Sequence, residues 1–370
     1  MSAQDFAAAG LYDPDAPDAP EWLAVLEYLQ QEVGASIPEM VQAAQEDRLL
    51  SMAAFRPLRP PGPRLTLAEA AEAAGVDPRL AARAWRAAGF PDPRPHERRF
   101  GEPDVGFFEV LRLACEFLPE DAVLQYVRTI GTATAQIAES AVALMRSNVE
   151  APLLQRRALV EIVRTYDDVA RRLVPRLGTV IDTLHRHHVE AAGRRYSDIG
   201  AAPSATNVVP LAVGFADLSD YTGLSARLAA EDLGRMLARF EATTGDTIAK
   251  AGAHVAKRIG DAVMFVTSAP GVACALALDL VDECARAGLP RLRVGIAFGD
   301  VIVRHGDFYG PVVNLASRLV NEAAPGTVLT DATLRDRLER VRGPYAFLPA
   351  GRVPLAGFGD AVVAHQVVRP

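Results

Sequence analysis

The sequence predicts an α+β protein in which an all-α part precedes a part of mixed strands and helices. Residues 21–196 are rich in Ala, Leu, Arg and Glu, and their apolar positions recur with helical periodicity. After residue 208, runs of β-branched residues alternate with amphipathic stretches, as expected where strands alternate with helices. Residues 197–207 are rich in Ser, Gly, Ala, Pro and Thr and predict a linker. A chain of 370 residues is long enough for both parts to bury their own cores.

The second part, residues 208–370, contains predicted elements in an order close to βαββαβ, which is that of a ferredoxin-like fold. They are a strand at Val208–Ala216, a helix at Ala230–Ala251, a hairpin at His254–Thr267, a helix at Gly271–Ala287 and a second hairpin at Leu292–Arg304. We expect the hairpins to turn at Gly260-Asp261 and at Gly299-Asp300, because Gly and Asp favour tight turns.

The first part shows two local features. Residues 1–20 contain Asp5, Asp13, Asp15 and Asp18 but no basic residue, which predicts a flexible acidic arm. Residues 64–90 predict two short helices around a Gly turn, the first opened by a Thr-x-x-Glu capping box and the second by Asp-Pro. The pair resembles a helix-turn-helix with a wing-like loop after it, and its second helix carries three arginines. The sequence is compatible with two roles for this pair, as helices that only pack within the protein or as a DNA-binding element.

Bulk properties argue against several function classes. The net charge of −7 disfavours stable nucleic-acid binding, which usually needs a basic domain. The N-terminus lacks the pattern of a secretory signal, and the apolar runs are too short to span a bilayer. The three cysteines are scattered without metal-ligand spacing, which predicts reduced thiols and a cytoplasmic location.

Two carboxylates stand where a metal site is expected. Asp217 ends a predicted strand, and the following residues, Leu218, Ser219, Asp220, Tyr221 and Thr222, turn into a helix whose amides suit phosphate binding. Asp261 lies at the predicted hairpin tip, where antiparallel neighbours would bring it to Asp217. Paired carboxylates that bind two Mg²⁺ ions are a recurrent device in phosphoryl transfer. Each residue taken alone also fits a simpler role, as a turn residue or as a helix cap.

A third string supplies polar residues on one helix face. Pro311 predicts a helix start, so Asn314 and Arg318, at positions i and i+4, share a face. A solvated surface helix would show the same spacing. Asn314, however, has apolar neighbours, and the string accompanies the two carboxylate strings.

In combination, these strings resemble the catalytic domain of the class III nucleotidyl cyclases over residues 205–369. The matching motifs are Phe-x-Asp-Leu-x-x-Tyr-Thr, Lys-x-Ile-Gly-Asp-x-x-Met-Phe, Val-Gly-Ile-x-x-Gly and Asp-x-x-Gly-x-x-Val-Asn-x-Ala-Ser-Arg. The resemblance implies two Mg²⁺ or Mn²⁺ ions on Asp217 and Asp261, adenine recognition by Lys257 and Asp307, ribose orientation by Asn314 and transition-state stabilisation by Arg318. It also implies sites shared across a homodimer interface and formation of 3′,5′-cyclic AMP and pyrophosphate from ATP.

The base-reading pair agrees with ATP on chemical grounds. A Lys donates to an adenine ring nitrogen and an Asp accepts from the 6-amino group, whereas guanine presents the opposite pattern. Lys257 is one of only two lysines among 39 basic residues, which suggests a need for a compact cation there. A guanylate cyclase and an inactive nucleotide-binding module are the alternatives. The sequence departs from the family pattern at Ala356, where many relatives have a Lys that contacts the triphosphate. Arg352 is a candidate to make that contact instead.

The helical part resembles the regulatory region of actinobacterial cyclases that respond to pH. His185, His187 and His188 precede the linker, and His is the side chain that titrates near neutral pH. These histidines are candidate pH sensors, although a solvated helix end without a role would look the same. The Ala- and Leu-rich helices also leave room for a bound lipid or other apolar ligand.

Overall fold

The computed structural model describes residues 3–58, 62–199, 207–340, 344–353 and 361–369. The chain separates into two compact units, one that ends at His187 and one that begins at His188. Most of the predicted linker, residues 200–206, lies outside the described residues, so its boundaries stay a prediction.

In its described residues the first unit consists of helices, as predicted, with one isolated β-bridge between Leu65 and Phe100. Its helices are α1 Ala3–Ala8, α2 Ala19–Gln31, α3 Ile37–Gln45, α4 Met52–Phe55, α5 Leu67–Ala73, α6 Pro78–Ala87, α7 Glu102–Phe117, α8 Glu120–Met145, α9 Ala151–Gln155, α10 Leu159–Asp168 and α11 Val174–Ile199. Short π-helical turns at Arg146–Glu150 and Val169–Leu173 continue α8 and α10. The division between the units falls within α11.

The prediction of a flexible acidic arm is wrong for residues 3–20. Phe6 is fully buried, and Leu11 and Ala19 are buried as well. Phe6 and Leu11 join a core with Val25, Leu26 and residues of α10. Burial of three apolar side chains therefore holds this acidic segment against the core. Average composition does not show which individual residues are buried.

The predicted helix pair at residues 64–90 is present as α5 and α6. The amide of Glu69 donates to Thr66 Oγ1 at 3.3 Å, and the Glu69 carboxylate accepts from the Thr66 amide at 2.8 Å, which confirms the capping box. On α6, Arg83 pairs with Glu120 and Asp121, and Arg86 pairs with Asp92. Two of the three arginines that kept a DNA contact open thus bind carboxylates of the protein itself.

The second unit is a mixed sheet with helices. Its elements are β1 Val208–Leu218, α12 Tyr221–Ser225, α13 Ala230–Lys250, β2 His254–Ile259, β3 Ala262–Thr267, α14 Pro270–Arg286, β4 Leu292–Arg304, β5 Asp307–Tyr309, α15 Pro311–Glu322, β6 Val328–Asp331, α16 Ala332–Arg340, β7 Ala346–Val353 and β8 Val362–Val368. The strand order is β2-β3-β1-β4-β6-β8-β7, with β5 paired to β4. The first four strands have the order and connections of the βαββαβ unit, which confirms the predicted fold class.

The second predicted hairpin is wrong. β4 runs without a turn, and Gly299 and Asp300 lie opposite Leu211 and Pro210 of β1. The turn comes later, at His305 and Gly306, whose φ angles of 54° and 76° are left-handed. β1 offers β4 a full-length partner, and this tertiary pairing overrides the local turn signal of Gly-Asp.

Two apolar layers enclose the sheet. One joins β-strand residues such as Ala216, Phe265 and Ile296 to the buried faces of α13 and α14. The other joins Phe215, Met264 and Val301 to Ala316 and Val320 of α15. The three cysteines are unpaired, as predicted, and Cys274 and Cys284 are buried. None of the helices that the described residues form combines the length and hydropathy needed to cross a bilayer.

Candidate active site

The sheet brings the two candidate metal carboxylates together. Asp217 lies near the end of β1, where its neighbours are Ala262 on β3 and Arg293 on β4. Asp261 occupies the tip of the β2–β3 hairpin beside Gly260, whose φ of 60° suits glycine at such a turn. The amide of Leu218 donates to the carbonyl oxygen of Asp261 at 3.3 Å. The hairpin tip is therefore held against the end of β1.

The carboxyl pair is electrostatically unfavourable without a cation. Burial first, and then the charge of Asp217 and a hydrogen bond with it, raise the pKa of Asp261 from 3.8 to about 6. Two carboxylates side by side provide the hard oxygen ligands that Mg²⁺ and Mn²⁺ prefer, so the donor set fits these ions. No group of three or more His, Cys, Asp or Glu side chains suited to a metal occurs among the described residues. The two carboxylates would thus be the principal side-chain ligands.

Arg293 is a component of this site that the sequence did not predict. Its guanidinium donates to Oδ2 of Asp217 at 2.5 Å, across the β1–β4 pair. Its Nε is buried and has no hydrogen-bond partner among the described residues. In the sequence, Arg293 is one polar residue in a strand, and only the register with β1 places it opposite Asp217.

The predicted phosphate-binding loop follows Asp217 directly. β1 ends at Leu218, Asp220 adopts a left-handed φ of 61°, and α12 begins at Tyr221. The amide of Ser219 donates to the carbonyl of Arg291 at 2.9 Å, while the buried Oγ of Ser219 has no partner among the described residues. Thr222 lies in the first turn of α12, a helix of five residues.

The candidate adenine-reading residues are paired with each other. Nζ of Lys257 donates to both carboxylate oxygens of Asp307, at 2.8 and 2.7 Å, although 50 residues separate them. Their neighbours Ala256 and Phe308 pack in one apolar cluster, which brings β2 and β5 together. Burial raises the pKa of Asp307, but the hydrogen bonds from Lys257 and the Phe308 amide outweigh burial and leave the pKa below its usual value.

α15 presents the remaining two candidates on its exposed side. Gly310 caps the helix with a φ of 131°, and Pro311 begins it as predicted. Asn314 and Arg318 are exposed, and neither side chain forms a hydrogen bond or ion pair with another described residue. The predicted common face is present, and the residues that the structure describes give its two polar side chains no partner.

Gly295 on β4 determines how closely α15 approaches the sheet. A Cβ atom there would lie 2.3 Å from the amide nitrogen of Val320 and 2.5 Å from the carbonyl oxygen of Ala316. Both are backbone atoms, which cannot move aside as a flexible side chain can. The Val-Gly-Ile-x-x-Gly motif therefore has a packing role that positions α15.

Comparisons with known proteins agree with this arrangement. The model of the adenylate and guanylate cyclase catalytic domain matches residues 204–368. An uncharacterized Mycobacterium tuberculosis protein, Rv2212, is 35% identical over 97% of this chain and 92% of its own length. A Streptomyces coelicolor adenylate cyclase is 36% identical over 75% of this chain and 73% of its own length. The chain belongs to the adenylate and guanylate cyclase family.

A further relative of this cyclase is the Mycobacterium tuberculosis pH-sensitive adenylate cyclase MT1302. It is 30% identical over 287 residues, which cover 75% of this chain and 70% of that protein. The match extends beyond the catalytic residues, because residues 204–368 alone make up less than half of the chain. The helical unit is thus shared, at least in part, with named adenylate cyclases.

Ala356, where the sequence departs from the family pattern, lies outside the described residues of the cyclase. Arg352, its candidate replacement, lies on β7, is exposed and donates to the carbonyl of Ala361 at 3.5 Å. No contact between Arg352 and the carboxylate pair is formed in the single chain's described residues.

The three candidate regulatory histidines of the cyclase are exposed on α11. His185 lies 3.3 Å from the hydroxyl of Tyr126 on α8. His188 belongs to a group of basic residues that the sequence did not predict, together with Arg195 and His254. Burial, and then the charges of Arg195 and His188, lower the pKa of His254 at the start of β2. Tyr196, one residue after Arg195, packs in the apolar layer of the sheet.

The first unit contains a cavity of about 970 Å³ that is open to solvent, since Phe55 and Val142 on its wall are exposed. Its wall is mainly apolar and includes Leu11, Leu49, Phe55, Val142 and Met145. Six charged residues also lie on the wall, namely Asp13, Asp18, Asp47, Arg48, Arg146 and Glu150. A cavity of this size whose exposed lining is mainly apolar is typical of sites for small molecules.

Proposed function

We propose that this cyclase is an adenylate cyclase, which converts ATP to 3′,5′-cyclic AMP and pyrophosphate. The observation that carries the proposal is the Lys257–Asp307 pair, which combines a cationic donor and an anionic acceptor at the expected base site. Adenine offers a ring-nitrogen acceptor and an amino donor to such a pair. Relatives named adenylate cyclase support the same substrate.

In the proposed reaction, the ribose 3′-oxygen attacks the α-phosphorus and pyrophosphate leaves. Mg²⁺ or Mn²⁺ held by Asp217 and Asp261 would supply charge stabilisation and activate the 3′-hydroxyl when bound. Asn314 orients the ribose, and Arg318 offsets the charge that develops on the phosphate oxygens. Within the loop Leu218–Thr222, the amides of Leu218 and Ser219 already donate to the carbonyls of Asp261 and Arg291, so the amides of the last three residues, Asp220 to Thr222, would bind the phosphates.

The test is product analysis with purified full-length protein. Incubation with ATP or GTP, each with Mg²⁺ or Mn²⁺, should yield cyclic AMP from ATP with GTP turned over far more slowly. Preferential formation of cyclic GMP would replace the proposal with a guanylate cyclase. Nucleotide binding without any cyclic product would indicate an inactive binding module.

The active site is proposed to form between two copies of the chain. Asn314 and Arg318 are exposed and have no side-chain partner among the described residues. Three apolar side chains near the candidate residues are about half exposed, namely Ile259, Ile302 and Tyr309. Exposed apolar side chains beside unpartnered polar ones are typical of an interface. In a two-fold dimer, each copy would complete the other's site, which gives two equivalent sites.

Complementation tests the shared site. Asp217→Ala and Asn314→Ala chains should each be inactive alone. Mixed in equal amounts with subunit exchange, half of the dimers are mixed and carry one intact site of two, so about a quarter of the wild-type activity should return. Absence of any recovery, with mixed dimers confirmed by a tag on one chain, would contradict the shared site.

We also propose that activity rises as the pH falls from about 8 to 6. Three histidines lie on α11, and His254, with its pKa lowered, lies near His188 and Arg195. The folded pKa of His254 is below the unfolded value of 6.5. Burial of neutral His254 therefore contributes its full stability above pH 6.5, and this contribution is lost as the pH falls through the folded pKa. Replacing His185, His187 and His188 by Gln together should flatten the profile. An unchanged profile would remove these histidines as sensors.

The cavity supports a second proposal, that the helical unit binds a lipid or other apolar ligand. Ala141 of α8 lines the cavity, so Ala141→Trp should fill part of it and weaken binding of an environment-sensitive lipid probe by about tenfold. Ala135→Trp is the matched control, because Ala135 is exposed on the same helix as Ala141 but does not line the cavity. Equal probe binding by both variants would place the ligand elsewhere.

A further inference from the structure

Tyr196, near the C-terminal end of α11, attaches this helix to the sheet of the second unit. Its partly buried ring packs against the apolar layer that contains Val209 and Val301. Its hydroxyl accepts a hydrogen bond from Nδ2 of Asn207 at 3.1 Å. Because the ring supplies apolar contact and the hydroxyl supplies direction, Tyr196 can fix the end of α11 at one place on the sheet.

Asn207, the residue before β1, continues this attachment to β4. The amide of Val303 donates to the carbonyl of Asn207 at 3.0 Å, and the carbonyl of Val303 accepts from Nδ2 of Asn207 at 3.1 Å. Asn207 thus satisfies both backbone groups of Val303, one with its backbone and one with its side chain. Its φ of 47° is left-handed, a conformation that Asn adopts more readily than most residues. The pairing of β1 with β4 is therefore extended beyond Val208.

Val303 also adjoins the strand that carries one of the candidate base-reading residues. Along its other edge β4 pairs with β5, where Val303 lies opposite Phe308 and the next pair includes Asp307. Phe308 and Tyr196 pack in the same apolar layer. Two routes, one of hydrogen bonds and one of apolar contacts, therefore lead from Tyr196 to the residues beside Asp307.

We propose that Tyr196 is a positioning residue for the adenine site, which holds β5 where Asp307 can accept from the 6-amino group of adenine. The inference rests on the proposed function, because it takes Asp307 as a base-reading residue. β5 contains only three residues, so its position depends on the strand beside it. Because hydrogen bonds weaken steeply with distance and angle, a displacement of β5 by about 1 Å would weaken base recognition.

The location of this contact predicts which part of the reaction it affects. Asn207 precedes the first residue of β1, whereas Asp217 lies near the other end of the same strand. Removal of Tyr196 should therefore weaken recognition of the base and leave the candidate metal carboxylates in place. In kinetic terms, we expect the KM for ATP to rise while kcat changes little.

The test compares ATP with purine riboside 5′-triphosphate, which lacks the 6-amino group. For full-length wild-type protein with Mn²⁺, kcat/KM should be about tenfold or more lower with the analogue, since a hydrogen bond to a charged acceptor is lost. In Tyr196→Ala this difference should shrink to about twofold, because a misplaced Asp307 gains little from the amino group. Tyr196→Phe, which keeps the ring, should lie between the two.

Two further variants isolate the hydrogen bonds. Asn207→Gly can keep the left-handed backbone but loses the side-chain donor, so it should lower the discrimination as Tyr196→Phe does. Tyr345→Phe is the matched control. The hydroxyl of Tyr345 donates to the carbonyl of Gly271 at 2.9 Å, and its ring packs against the other apolar layer of the sheet. This variant should discriminate between the two nucleotides as wild type does.

The outcomes separate the inference from the proposed function. If wild type uses both nucleotides equally well, the assignment of Asp307 to adenine is wrong, and the inference is lost with it. If wild type discriminates and Tyr196→Ala discriminates equally, only the role of Tyr196 is overturned. A merely structural role would lower kcat/KM for both nucleotides by the same factor and leave their ratio unchanged. Thermal denaturation checks that each variant is folded. If Tyr196→Ala does not fold, Tyr196→Phe and Asn207→Gly decide the question.

Discussion

The carboxylate region and the exposed face of α15 differ in how much of their surroundings one chain supplies. Asp217 and Asp307 are partly buried, and each is held by a cation of the same chain, Arg293 or Lys257. Asn314 and Arg318 are exposed and have no side-chain partner among the described residues. Buried charges need internal counterions because desolvation is costly, whereas exposed polar groups remain hydrated. The first region is thus preassembled, and the second depends on what binds to it.

The largest expected effect comes from the α15 face. Arg318→Ala should lower kcat by about 10²-fold or more, because preorganised charge stabilisation is usually the largest catalytic contribution. Thermal stability should barely change, since the side chain is exposed. Steady-state kinetics and thermal denaturation of the same preparation check this prediction. A large loss of stability with normal kcat would mean that Arg318 supports the fold and not the reaction.

The next effect concerns the preassembled base site. Lys257→Glu combined with Asp307→Cys should reduce the preference for ATP over GTP by about 10- to 100-fold, because mismatched donors and acceptors cost roughly 1–3 kcal/mol. Competition assays with both nucleotides measure this ratio. Mn²⁺ affinity is the control and should stay near the wild-type value, because Asp217 and Asp261 are unchanged. Unaltered base selectivity would reduce Lys257 to a structural ion-pair partner.

A smaller effect joins the two regions through packing. Gly295→Ala should push α15 off the sheet, since the new Cβ would meet the backbone of Val320 and Ala316. We expect kcat to fall by about tenfold, because small misplacements of catalytic groups are costly. Gly234→Ala, where a Cβ on α13 would meet nothing within 4 Å, is the matched control and should leave kcat unchanged. Normal kcat in Gly295→Ala would show that α15 tolerates displacement.

The smallest effect is a change of stability. Asp261 has a folded pKa of about 6 against its usual 3.8, so its contribution to stability is complete below pH 3.8 and is lost as the pH rises through 6. Asp261→Asn should therefore raise the melting temperature of metal-free protein at pH 8 by about 2–4 °C, with a smaller gain at pH 5.5. Calorimetry in the presence of a chelator measures it. Equal melting temperatures at pH 8 would contradict the raised pKa of Asp261, which already includes the opposing charge of Arg293.

Short stretches of sequence were sufficient to predict many elements of the fold. The strand and helix patterns after residue 208 predicted the βαββαβ order, and Pro311 predicted the start of α15. The Gly260-Asp261 turn and the capping box of Thr66 and Glu69 were likewise readable, because a few neighbouring residues determine such turns and caps. The six candidate catalytic residues lie in short motifs, and the family resemblance supplies their expected roles.

Other features depend on contacts between residues far apart in the chain, and only the tertiary structure shows them. Gly299-Asp300 has the same two residue types as the hairpin tip, yet it lies within a continuous strand, because β1 pairs with β4 along its whole length. Arg293 belongs to the site only because the strand register places it opposite Asp217. Phe6 is buried, against the prediction of a flexible arm, because it packs in an apolar core formed by distant residues. The sequence by itself determined which residues are chemically able to act, because side-chain chemistry is local. Which charges are paired, which are buried and which still lack a partner follows from contacts between residues far apart in the chain.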